Sequence, residues 1–181
     1  SDVCSSDLLT IPTKDAILYE KNLTIDFDVF FWRKSPFGFI LSAGNEQDPN
    51  LFVLSYSDYK SQDTSFIELT YADRPSIISI PILDKDQGWE KWKNIKLYFE
   101  MEKQRVGLSF QNQNIIWYKD GIPINNRMQF NFGATSFVTE PPRMAIKDIH
   151  INRDKKKAIL WKLDEEFGDI AHPNYRSEEH T

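Results

Sequence analysis

The sequence predicts an all-β fold: an antiparallel two-sheet sandwich of the jelly-roll type. Three observations predict it. Apolar side chains recur at every second position through several short runs, and clusters of Gly, Pro, Asn and Asp punctuate those runs. The 181 residues also include 13 Phe, 7 Tyr and 5 Trp, an aromatic load that favours strands over helices.

Leu23, Ile25, Phe27, Val29 and Phe31 alternate with Thr24, Asp26, Asp28, Phe30 and Trp32, which predicts a strand over 23–32 with one apolar face. Lys34, Ser35 and Pro36 end that run, and a second strand is expected over 37–43. Gly44, Asn45, Asp48, Pro49 and Asn50 mark a loop. Strands are expected next over 51–56, 66–71 and 76–82, the last two separated at Asp73, Arg74 and Pro75. A polar turn over 84–88 leads to the clearest hairpin. Ile95, Leu97 and Phe99 alternate with Lys96, Tyr98 and Glu100, the chain turns over 101–104, and Val106, Leu108 and Phe110 return. Strict alternation also argues against a helix in the Glu- and Lys-rich stretch over 89–103. Further strands are expected over 115–118, 128–132, 145–151 and 159–163, giving about ten short strands with polar turns between them. No internal repeat is visible.

The two ends stand apart from this pattern. Residues 1–8 are the translation of TCAGACGTGTGCTCTTCCGATCTN, and residues 176–181 translate its reverse complement from AGATCGGAAGAGCACACG. Both resemble translated sequencing-library adapter and are expected to be technical tails. The expected organisation is therefore tail 1–8, a jelly-roll domain over 9–163, the start of a further segment over 164–175, and tail 176–181.

Charge narrows the partners. The net charge is −5, and Asp2, Asp7, Arg176, Glu178 and Glu179 in the tails account for −3 of it. The remaining −2 implies no basic face, so nucleic acid and anionic membrane surfaces are not expected partners. No apolar run reaches transmembrane length. The single cysteine, Cys4, lies in a tail, so disulfide and thiol chemistry are not expected.

From Trp92 onward the order of motifs carries a resemblance. Trp92, Lys93 and Asn94 precede the alternating strand Ile95, Lys96, Leu97, Tyr98, Phe99. The run from Arg105 to Phe110 follows, with a polar turn at Asn112, Gln113 and Asn114. Gln129, Phe130, Asn131, Phe132 and Gly133 form a strand running into glycine, and residues 144–151 a closing strand. This order resembles the laminin-G-like branch of the concanavalin A-like lectin and glucanase jelly rolls. Trp161, Lys162, Leu163 and residues 164–171 resemble a phrase of bacterial members that usually continues to Asp, where this chain has His172. The resemblance implies an exported bacterial protein, located at the cell surface, in the periplasm or outside the cell, with a kelch-type propeller as a possible following domain. It further implies a non-catalytic carbohydrate-binding or domain-packing module, whose partner is a glycan or a neighbouring domain of the same chain. The alternative is a divergent glycoside hydrolase of the laminarinase-like class.

Laminarinase-type catalysis needs paired carboxylates at Glu-x-Asp-x-x-Glu spacing on one strand, and no such spacing occurs. Asp164, Glu165 and Glu166 are consecutive and read as a solvated turn, while Glu100 and Glu102 flank the hairpin tip. No catalytic residues are therefore expected. The nucleophile elbow and phosphate-cradling glycine loops are absent as well. Sugar-binding surfaces stack pyranose faces on aromatic rings, with amides and carboxylates taking the hydroxyls. Trp32, Tyr56 and Tyr98 are expected on faces opposite an apolar register, and Asp26 and Asp28 on the polar face of their strand, so these five are the candidate ligand-binding residues. Core or interface packing is the competing reading for each ring. Trp117 and Tyr118 adjoin a turn at Lys119, Asp120 and Gly121, which predicts exposure of one of them. Asn45, Asp48 and Asn50 form the most oxygen-rich loop and are the candidate calcium ligands, against an ordinary Asx turn. No other cofactor is expected. His150 and His172 lack a third partner at zinc-ligand spacing.

Overall fold

The computed structural model describes residues 16–32, 37–59, 64–72, 74–82, 91–111, 115–133, 135, 142–154 and 156–161. The expected tails, the segment over 164–175 and the acidic run Asp164, Glu165 and Glu166 lie outside the described residues, as does His172.

Among the described residues twelve strands make two six-stranded sheets in which every pairing is antiparallel. They are β1 (Ile17–Leu18), β2 (Asn22–Phe31), β3 (Phe37–Gly44), β4 (Phe52–Tyr59), β5 (Thr64–Tyr71) and β6 (Ile78–Ile82). Then come β7 (Trp92–Glu100), β8 (Arg105–Phe110), β9 (Trp117–Asp120), β10 (Arg127–Phe132), β11 (Met144–Arg153) and β12 (Lys156–Trp161). The first sheet runs β1-β10-β3-β4-β5-β6, and the second β12-β11-β2-β7-β8-β9. Two meanders, β3 to β6 and β7 to β9, are knitted together by β2, β10 and β11, whose connections change sheets. The all-β sandwich expected from the sequence is the observed fold. Among the described residues no helix is long and apolar enough to cross a membrane.

The core is the product of period two. On β2, Leu23, Ile25, Phe27, Val29 and Phe31 are buried while the residues between them are half-buried. β7 repeats the pattern through Ile95, Leu97 and Phe99. Rings close the gap between sheets: Phe27 meets Phe132 edge-on at 5.2 Å, and Phe52 meets Phe99 at 5.1 Å. Each such ring contributes about 1.5 to 3 kcal/mol by leaving water, with edge-to-face contact adding a smaller amount.

Two local devices shape the sheets. Along β11 the register with β2 shifts, so that Lys147 stands opposite Asp28 and His150 opposite Asp26. Asp148 sits at the shift with φ of 51°, the left-handed region that Asp tolerates better than most residues. The bulge turns both Lys147 and His150 outward, although three positions apart on a regular strand would face them oppositely. The second device ties the β11–β12 turn to the start of β2. Asp154 accepts the amides of Glu20, Lys21 and Asn22 at 3.0, 2.7 and 3.1 Å, and these hydrogen bonds hold its carboxyl below its ordinary value of 3.8.

Candidate functional site

Each sheet has one face in the core and one turned outward, and the two outward faces differ. On the first sheet Ser42, Ser55, Ser57 and Glu68 are buried, with Ser57 Oγ donating to Glu68 Oε2 at 3.2 Å. The second sheet keeps its outward face half-exposed, and its polar residues gather across β2, β7, β8 and β11.

The centre of that face is an acid pair. Asp26 and Asp28 lie two positions apart on β2, so they point the same way. Asn94 on β7 joins them: its Nδ2 donates to Asp26 Oδ1 and, at 3.1 Å, to Asp28 Oδ1. Lys96 Nζ lies 3.5 Å from Asp26 Oδ2. From the other side, the bulged β11 sets Lys147 and His150 opposite the two acids. Because both accept from the same Nδ2, one oxygen of each carboxylate lies no more than about 6 Å from the other, a bound that admits the roughly 5 to 5.5 Å of retaining glycoside hydrolases.

Rings flank this centre at both ends. Toward one end, Phe30 packs 5.5 Å from both Trp32 and Trp92, and Lys147 Nζ stands 4.1 Å over the Trp92 ring. Toward the other, Tyr98 and Tyr118 lie 6.4 Å apart with Gly107 between them in register. Arg105 lies 3.8 Å over the Tyr118 ring and pairs with Glu100. Burial, then the charge of Glu100, pushes the Tyr118 phenol up, with Arg105 pulling the other way. From Trp92 to Tyr98 the band runs about 20 Å along β7, the length of a short oligosaccharide.

The sequence expectations divide accordingly. Asp26, Asp28 and Tyr98 share this one face, and half-buried Trp32 stands at its end beside Phe30. Tyr56 does not belong there. It is fully buried, packs 5.5 Å from Phe31, and donates its hydroxyl to Ser65 Oγ at 2.9 Å. The expectation that it faces outward is corrected: Leu51, Phe52, Val53 and Leu54 are apolar at both parities, and pairing with Ile67 on β5 selects the inward one. Trp117 and Tyr118 are both exposed, at 45% and 39%. In the β3–β4 loop, Asn45 Oδ1 accepts the amides of Gln47 and Asp48, and Asp48 Oδ1 accepts that of Asn50. Those oxygens serve Asx turns, and no group of three or more His, Cys, Asp or Glu side chains gathers among the described residues. Asn94, Lys96, Tyr118, Lys147 and His150 were not among the expected site residues. Parity with Tyr98 marks Asn94 and Lys96 in the sequence; only the pairing of strands marks the others.

No family model and no curated protein matches this sequence. Solved structures do share the fold. The native heptameric SAP-like pentraxin from Limulus polyphemus superposes with a TM-score of 0.56 at 15% identity, over 77% of this chain and 67% of that one. A Bacteroides ovatus protein provisionally described as carbohydrate-binding gives a TM-score of 0.54 at 12% identity, over 87% of this chain and 51% of that one. Full-length tailspike protein 2 of the Escherichia coli O157:H7 bacteriophage CAB120 gives 0.57 at 11% identity, over 76% and 20%. The chain thus spans about two thirds, half and a fifth of these three. Identities this low speak to the fold, an antiparallel jelly-roll sandwich, and not to a ligand.

Proposed function

We propose that the chain is a carbohydrate-binding module of a larger exported protein, with the outward face of the second sheet as its binding surface. The observation that carries this reading is the band itself. Tyr98 and Tyr118 offer ring faces, and Asp26, Asp28, Asn94 and Lys96 offer acceptors and donors for hydroxyls, all on one half-exposed face. The Bacteroides ovatus neighbour supports the carbohydrate-binding part of it through its description. Packing against a neighbouring domain is the competing role of the same face, and its mix of charges and amides favours a hydroxyl-rich partner. Affinity electrophoresis and Trp fluorescence across soluble polysaccharides test the proposal. Retardation by at least one glycan, lost in Tyr98→Ala and Asp28→Ala, is expected; silence across the panel overturns it.

The spacing of Asp26 and Asp28 favours a second reading, a divergent glycoside hydrolase. Against it, Asn94 Nδ2 bonds both acids and sits between them, where a scissile glycosidic oxygen needs to lie. Release of reducing ends that disappears in both Asp26→Asn and Asp28→Asn would establish this reading in place of the first.

A further inference from the structure

The sandwich carries a cleft away from this face. Asn45, Glu46 and Gln47, just after β3, line one side of a cleft of about 220 Å³, and Asn125, Asn126 and Arg127, at the entry to β10, line the other. None of the six lies on the outward face of the second sheet.

Both walls are fixed through their backbones. Asn45 Oδ1 accepts the amides of Gln47 and Asp48 at 2.9 and 2.8 Å, and the Asn45 amide donates to the Asp48 carbonyl at 3.0 Å. Opposite, the hydroxyl of Tyr19 donates to the Asn125 carbonyl, and the Tyr19 amide donates to the Asn126 carbonyl at 3.1 Å. The side chains of Glu46, Gln47, Asn125, Asn126 and Arg127, by contrast, make no hydrogen bond or ion pair among the described residues. Glu46 and Arg127 carry opposite charges on the same opening without closing into a salt bridge. A frame fixed through its backbone thus presents five exposed hydrogen-bonding side chains that the protein itself leaves unused, and each has to be ordered on binding.

The lining names the ligand class. Its volume is that of about seven liquid waters, below the roughly 300 Å³ at which pockets for drug-sized apolar ligands begin. The cleft is lined by four amide side chains, Glu46, Arg127 and Ala16, with no aromatic or long aliphatic platform. The two charges offset each other, which disfavours an anion. A carboxylate accepts from two neighbouring hydroxyls, a guanidinium donates to two neighbouring oxygens, and amides do both. The geometry points to a binding site for a single neutral pyranose unit, held by adjacent hydroxyls between Glu46 and Arg127. This site is independent of the sheet-face reading.

Titration of the isotope-labelled protein with methyl β-glucoside, methyl β-galactoside, methyl α-mannoside and methyl β-glucuronide tests it, following the backbone amides of residues 45–47 and 125–126. At least one neutral glycoside is expected to shift those amides saturably at millimolar concentration. Glu46→Ala and Arg127→Ala, both at exposed side chains, are each expected to weaken that binding about tenfold or more, the scale of losing a hydrogen bond to a charged group. Tyr98→Ala leaves it unchanged, so failure of the sheet-face reading and failure of the cleft are separate results. No shift with any neutral glycoside, a response to the glucuronide alone, or shifts indifferent to both cleft variants would overturn the inference.

Discussion

Gly107 lies directly beneath the ring of Tyr118: a Cβ at position 107 would come within 2.7 Å of Tyr118 Cε1. Glycine here is what lets the exposed tyrosine lie down on the sheet beside Tyr98. Gly107→Ala is expected to lift the ring and weaken glycan binding about three- to tenfold, the worth of one aromatic contact, with the fold retained. Affinity electrophoresis of the variant beside the parent protein checks this, and unchanged affinity would remove Tyr118 from the surface.

Tyr56 and Tyr98 should respond in opposite ways to truncation. Tyr56→Ala empties a fully buried site and is expected to destabilise by about 3 to 5 kcal/mol. Tyr98→Ala, on the outward face, is expected to leave urea stability within about 1 kcal/mol while removing glycan binding. Urea unfolding of both variants separates the two roles.

Acid should loosen the tie between the β11–β12 turn and β2. Because three backbone amides hold the Asp154 carboxyl below 3.8, its folded value lies under its unfolded one. The contribution is therefore full above the unfolded value and fades as pH falls through the folded one. Asp154→Ala is expected to lower the thermal midpoint at neutral pH, and the gap to the parent protein should narrow as pH drops below 3.8. Melting curves at several pH values read it directly.

The bulge at Asp148 gives a backbone prediction. With φ of 51°, this position is strained for a β-branched residue, so Asp148→Val is expected to cost about 1 to 2 kcal/mol. Asp148→Gly should be tolerated to within about 1 kcal/mol. Chemical denaturation of the pair checks the sign.

How much of this was legible in the sequence depended on parity. β2, β7 and β8 could be read because their aliphatic residues fall at one parity only, and Asp26, Asp28 and Tyr98 came with them. β1, at Ile17 and Leu18, is too short to leave a period. Tyr56 was misplaced because Leu51, Phe52, Val53 and Leu54 are apolar at both parities. Asn94 and Lys147 became visible as neighbours of the acids only through strand pairing, and for Lys147 and His150 the bulge, a tertiary device, decides which way they face.

The alternation on β2 has a consequence for how such a surface changes over generations. Ile25, Phe27 and Val29 lock the strand from behind, so Asp26 and Asp28 can be exchanged without disturbing what anchors them. The scaffold works as a mounting board. Under the function proposed above, new specificities are reachable by replacing what is fixed to its front, while the fastening behind stays as it is.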